Sequence, residues 1–292
     1  MAANIELIKI LRDRTGAGIM DCKNALAACE NDVEKACDWL REKGIAKQAK
    51  KASRTAAEGL IGIHHCDKCN RTSIVEVNCE TDFVANADPF KNLVEECTKI
   101  VLKNNLTTTE EAVAATESLF AEATVKLGEK LTFRRFETFG LEEGQGFGTY
   151  IHNGGKIGVV VILEKENAEL AKGIAMTIAA NNPKYNHMSD IPAEVIENEK
   201  KIQLEAAKND ERLKNKPAAA LPKIIEGKVN KFFSESVLDD QEYILNPELT
   251  VANALKQANN SVIRFVRFQA GEGIEKRVDN FAEEVAKQVG NN

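Results

Sequence analysis

No stretch of this chain approaches the roughly 18 consecutive apolar residues that a membrane-spanning helix requires, which excludes a helical membrane protein. Nor does Met1-Ala-Ala-Asn-Ile-Glu-Leu7 read as a secretory leader, since it has no basic region ahead of an apolar one and goes straight into an amphipathic pattern. There is no surplus of positive charge. The 39 Lys and Arg are outnumbered by 45 Asp and Glu, for a net charge of −6, and a general nucleic-acid binder needs clustered, uncompensated cations. Cysteine stops at Cys97, and the seven in all, Cys97 included, are an odd number confined to the first third of the chain. A disulfide framework is normally even and spread through a small domain, so these read as reduced thiols of a cytoplasmic protein.

Signatures of catalysis are also lacking. Gly154-Gly155-Lys156-Ile157 has no Ser or Thr after the lysine to hold magnesium and lacks the first glycine of a phosphate loop, so a hairpin turn explains it better. Gly144-Gln-Gly146-Phe-Gly148 precedes a strand pattern, whereas a dinucleotide fingerprint follows one. The cluster His64-His65-Cys66-x-x-Cys69 offers four zinc-ligand types in six residues. Neighbouring strand residues point to opposite faces, however, and no second ligand pair follows at zinc-finger distance. A hairpin tip with reduced thiols is the plainer reading. The chain reads as no enzyme, with no cofactor and no metal of its own.

What is present is 43% hydrophobic and 29% charged, ample for a globular core. In the first 43 residues three short helices follow from apolar spacing. Ile5, Ile8 and Leu11 form one stripe, Ile19, Cys22, Ala25 and Leu26 a second, and Val33, Ala36, Trp39 and Leu40 a third that Gly44 is expected to stop. So small a core suits a binding module better than an enzyme domain. Lys47, Lys50, Lys51 and Arg54 then sit among alanines without an interleaved aromatic, the pattern of a solvated helix or linker and not of a nucleic-acid patch.

From Gly59 the period changes to two. Leu60, Ile61 and Ile63, a turn over 66–70, and Ile74, Val75 and Val77 predict a hairpin. Pro89 opens a helix with Phe90, Leu93, Val94, Cys97 and Val101 inward; a second helix ends at Gly128, and a strand covers 131–139. The plan repeats with 147–152 and 157–163 about an Asn153-Gly154-Gly155 turn, a helix over 168–180, and a strand over 262–268. Two helices interrupt the second unit, marked by Val195, Ile202 and Ala206 and by Leu221, Ile225, Val229 and Phe232, around Pro217-Ala-Ala-Ala-Leu-Pro222. A last amphipathic helix is expected over 274–289. The fold class is therefore α+β: a three-helix module, two repeated β-hairpin/helix/strand subdomains, an inserted antiparallel helical hairpin and a C-terminal helix. The expected boundaries are 1–54, 55–140, 141–189 with 236–270, 190–235 for the insertion, and 271–292.

Asn78-Cys-Glu-Thr81-Asp82-Phe83-Val84-Ala85-Asn86 follows a strand directly, where the chain must turn before the Pro89 helix. An acid beside an aromatic here fits a helix cap with a core anchor. It equally fits a probe, with Phe83 as a wedge into another protein and Asp82 as the charge beside it.

Four blocks now carry a resemblance: Leu11-Arg-Asp-Arg-Thr-Gly-Ala-Gly-Ile-Met-Asp-Cys-Lys23, Glu76-Val-Asn-Cys-Glu-Thr-Asp-Phe-Val-Ala85, Lys126-Leu-Gly-Glu129 and Gly271-Glu-Gly-Ile-Glu-Lys276. Spread from end to end, they resemble the bacterial elongation factor Ts family, exchange factors for the GTPase elongation factor Tu in translation. The resemblance implies a ubiquitin-associated-like module at the start, a two-part core, a coiled-coil dimerisation hairpin over 190–235 and a C-terminal module. It implies that Thr81, Asp82, Phe83 and Val84 dislodge magnesium from the partner's GDP site. It also implies partner contacts at Arg12, Ile19, Met20, Lys23, Leu127, Gly128 and His152, and either a homodimer or a two-plus-two complex, with no direct nucleic acid and no membrane. Gln241-Glu-Tyr-Ile-Leu-Asn-Pro247 departs from the family's usual Gln-Pro-Phe-Val stretch, and the Cys66–Cys69 turn is not a family hallmark. From a different class comes a module that sequesters a GTPase without driving exchange.

Overall fold

A computed structural model describes residues 4–209 and 221–275; most of the 217–222 link between the two inserted helices and most of the expected C-terminal helix lie outside the described residues. Two compact units emerge. Of the described residues, one comprises those up to Cys66, Thr72–Thr138 and those from Gln269 on; the other comprises Asp67–Arg71 and those within Phe139–Phe268.

The first unit opens with α1 (Ile5–Thr15), α2 (Ile19–Ala28) and α3 (Val33–Lys50). Asn4 caps α1 through its side chain, and Gly16 ends it in the left-handed conformation. Asp32 caps α3 by accepting from the Lys35 amide at 3.1 Å. Leu11, Ala17, Cys22, Ala25, Leu26, Ala36 and Leu40 form the module's core and are joined by Val125 from the body of the unit. Two expected stripe positions fail: Ile5 and Ile19 are exposed, because Leu11 and Cys22 one or two turns on fill that small core.

Nor does Gly44 stop α3, which runs on to Lys50. It lies buried against α6 (Thr109–Leu127), where a Cβ would meet the Ala121 carbonyl oxygen at 2.4 Å. Glycine inside a helix costs about 1 kcal/mol against alanine, and the close helix approach offsets that cost. Gly44→Ala should therefore destabilise the unit by about 2 kcal/mol, since the obstacle is backbone and the helices must part. Urea unfolding checks this, and a variant at least as stable as the parent refutes the packing argument.

The sheet order is β1-β2-β3, formed by β1 (Glu58–Cys66), β2 (Arg71–Cys79) and β3 (Thr132–Gly140). Between β2 and β3 come α4 (Asp82–Asn86), α5 (Asp88–Lys103) and α6. Thr108 and Glu111 start α6 with a reciprocal capping box. Phe90, Leu93, Val94, Cys97 and Val101 of α5 pack with Val75, Val77, Phe120 and Phe133 in one cluster. Burial pushes the Cys97 thiol up to about 12, so it stays neutral and inert. None of the seven cysteines, all described, forms a disulfide.

The second unit repeats the order, with β4 (Gly146–His152), β5 (Ile157–Leu163) and β8 (Val262–Gln269) paired as β4-β5-β8. The β4–β5 hairpin runs from Gly146 opposite Leu163 to His152 opposite Ile157, closed by the expected Asn153–Gly155 turn. The helix α7 (Ala168–Asn181) supplies Leu170, Ile174 and Ile178 to its core. The helices α8 (Ala193–Asn209) and α9 (Leu221–Ser234) pack on one another. Here the expected stripe is displaced. Val195, Ile202 and Phe232 are exposed, while Ile225, Val229 and Phe233 face inward with Ile191 and Val237. The segment that departs from the family pattern forms a ribbon of β6 (Glu242–Tyr243) and β7 (Asn246–Thr250) before α10 (Val251–Gln257), and Tyr243 closes the core over α7.

Candidate functional site

The turn between β2 and α5 is built from its caps upward. Thr81 is the N-cap of α4, its hydroxyl oxygen accepting from the Val84 amide at 3.3 Å. A helix of five residues has too few internal bonds to stand alone, so its outer contacts fix it. Ala85 is fully buried and Val84 packs against the main cluster of the first unit. With about 100° between successive helical residues, anchoring Val84 and Ala85 inward turns Asp82 and Phe83 outward. Phe83 is 85% exposed. The turn thus has the expected cap, but its core anchor is Val84 with Ala85 and not the aromatic.

Beneath this tip lies one carboxylate. Glu129 accepts from the Glu80 amide and the Thr81 amide, each at 3.0 Å, and from the Thr81 hydroxyl at 2.6 Å. Glu129 directly follows Leu127 and Gly128, the end of α6. Gly128 is exposed in the left-handed region at φ 72°, and its amide donates to the Thr124 carbonyl at 3.0 Å. Glu80 in turn accepts from the Lys130 amide at 2.6 Å and pairs with Arg54 at 3.3 Å. Lys51 donates to the Gly128 carbonyl, and Lys130 Nζ to the carbonyls of Ala52 and Arg54 at 2.6 and 2.7 Å. Of the basic stretch, Lys47 and Lys50 belong to the last turn of α3, the helix half of the expectation, while Lys47, on Asp21 at 2.9 Å, Lys51 and Arg54 all have partners within the chain.

On the three-helix module Arg12, Ile19, Met20 and Lys23 are all exposed, with Ile19 at 56% and Met20 at 63%. Ile19 and Met20 open α2 beside Lys23, an apolar pair next to a cation on a small rigid body. His152, in the second unit, is exposed at the end of β4, with its Nδ1 3.2 Å from the Tyr150 hydroxyl. His65 Nδ1 lies 2.8 Å from the Thr72 hydroxyl. Among the described residues no group of three or more His, Cys, Asp or Glu side chains is placed to hold a metal ion, and no helix is long and apolar enough to cross a membrane.

A family model described as "Elongation factor TS" matches residues 80–272. The chain is also 44% identical over 296 residues to a protein named elongation factor Ts from Acholeplasma laidlawii (strain PG-8A), covering 99% of each. The chain belongs to the elongation factor Ts family. As an elongation factor Ts it is a nucleotide exchange factor for elongation factor Tu in translation elongation, and not a catalytic enzyme in the usual sense. The sequence reading gave no role to two acids that organise this structure. Glu129 finds its partners 48 and 49 positions away, and Glu76 is buried in β2; neither has a local signal beyond lying in a quoted block.

Proposed function

We propose that exchange is driven by the α4 tip, with Thr81, Asp82, Phe83 and Val84 displacing magnesium from the GDP site of elongation factor Tu. The observation that carries this is the exposure of Phe83 on a capped, core-anchored turn. GDP in such a GTPase is held largely by phosphate contacts and by magnesium, the largest local positive charge in the site. An exchange factor therefore needs no contact with nucleotide and no catalytic residue of its own. It needs only to favour the partner state in which magnesium ligands and loop amides are misaligned. Linkage makes the effect reciprocal, so incoming nucleotide weakens the factor's grip and releases it for another round.

In this reading Arg12, Ile19, Met20 and Lys23 hold the GTPase from the module over 1–54, Leu127 and Gly128 dock from the core over 55–140, and His152 contacts it from 141–189 with 236–270. The hairpin over 190–235 joins two copies, 271–292 forms a C-terminal helical module, and the cytoplasm is the site of action. The test loads elongation factor Tu with a fluorescent GDP, chases with excess GTP and adds substoichiometric factor. Multiple-turnover release that the Asp82→Ala/Phe83→Ala pair abolishes supports the tip. Equal acceleration by both proteins moves the mechanism to the other contacts, and complex formation without acceleration leaves a sequestering module.

A further inference from the structure

Three donors at one end of a five-residue helix converge on a single carboxylate of a distant segment, and nothing local requires that carboxylate to be there. Both Glu129 oxygens are engaged by this chain: one takes the Thr81 hydroxyl, the other the amides of Glu80 and Thr81. We infer that Glu129 is the positioning residue of the exchange reaction, fixing the direction in which Phe83 projects and joining it to the Leu127–Gly128 tip. This rests on the reading of Phe83 as the wedge.

The argument is one of preorganisation. Amides at a helix start have no partner within the helix, and in a free turn they bond to water in many geometries. A carboxylate accepting several N–H and O–H bonds is charge-assisted and directional. It narrows those geometries to one while the aromatic stays fully presented. An aromatic held in its inserting direction loses less freedom on entering a partner than one on a fraying turn. Because the other contact surfaces remain when the brace is lost, its removal should appear in the rate at saturation and barely in affinity. Position adds a second consequence. Only one peptide bond separates Gly128 from Glu129, so the docking tip and the wedge move as one piece. Half-buried and with both oxygens engaged, Glu129 acts through Phe83 and not as a contact itself.

The experiment is a two-by-two set: parent, Glu129→Gln, Phe83→Ala and the double variant, each titrated against fluorescent-GDP-loaded elongation factor Tu. Glutamine keeps the shape and one oxygen for the two amides, but it loses the charge and meets the Thr81 hydroxyl with an N–H group where the carboxylate offered an acceptor. The expected result is a saturating rate lowered about tenfold by Glu129→Gln, a half-saturating concentration within about twofold of the parent, and a double variant no slower than Phe83→Ala alone. An unchanged saturating rate, or two effects that multiply, overturns the inference while the wedge stands. An unaltered rate in Phe83→Ala overturns the wedge reading itself, and the brace with it. If Glu129→Gln lowers the melting temperature enough to lose the fold, Glu129→Asp carries the same test, keeping the charge but not the reach.

Discussion

Phe83→Ala is expected to slow GDP release at saturating factor by about 10- to 100-fold while the affinity for elongation factor Tu falls less than about threefold. The asymmetry follows from where the side chain sits. At 85% exposure it contributes almost nothing to this protein's own core, so the variant should unfold within about 0.5 kcal/mol of the parent. The substitution leaves Ile19, Met20 and Gly128 unchanged, and on the proposed reading these continue to hold the partner. On the proposed reading, what is lost is an aromatic volume that enters the partner site only once magnesium has left, and an interaction made only there lowers the maximal rate in preference to the half-saturating concentration. Stopped-flow titration separates the two quantities. Equal losses in both would mean that Phe83 is an ordinary anchor, and the wedge would have to be sought elsewhere on the surface.

Why this tip was legible in the sequence, and its support was not, comes down to range. A strand through Ile74, Val75 and Val77, a helix cap just after it and a Pro89 helix start are local signals, each acting over a few residues; in the structure β2 runs on to Cys79, Thr81 supplies the cap and Pro89 lies in the first turn of α5. The two hairpins were legible for the same reason, Asn153-Gly154-Gly155 above all, where the turn's positive φ values suit those residues. Failures cluster where packing outweighs pattern. Ile19 fits a helical stripe by spacing, but the core of three short helices is already filled by Cys22, Ala25 and Leu26. Gly44 carries the local signal of a helix stop and acts instead through Ala121, 77 positions on. Val195 and Ile202 share a face that α9 does not cover. Glu129 is the extreme case, since an acid after a left-handed glycine looks like surface until the chain folds Thr81 onto it.

Removing the buried acid of β2 should have the largest effect on stability: Glu76→Ala is expected to cost the first unit about 3–5 kcal/mol and to lower its melting temperature by about 10 °C. Glu76 is completely buried. It accepts from Arg134 Nη1 at 2.9 Å, Arg135 Nε at 2.6 Å, Asn78 Nδ2 at 3.1 Å and the Gly271 amide at 2.8 Å. Two guanidiniums against one carboxylate leave a net positive charge that the chain spreads onward, Arg134 to the Glu272 carbonyl and Arg135 to the Glu272 carboxylate at 3.4 Å. An intact buried pair is weak evidence of stability, because desolvation consumes most of the attraction, but a broken one is costly. Alanine would leave two partly buried cations facing each other and the Gly271 amide without its acceptor. Glu76→Gln keeps one oxygen and the side-chain volume, so its loss should be about half as large. The network also fixes residues 269–272 against β2 and β3, so Glu76→Ala should raise amide exchange there before the sheet itself opens. A melting temperature within about 2 °C of the parent would show instead that the arginines re-solvate freely and that this carboxylate holds nothing.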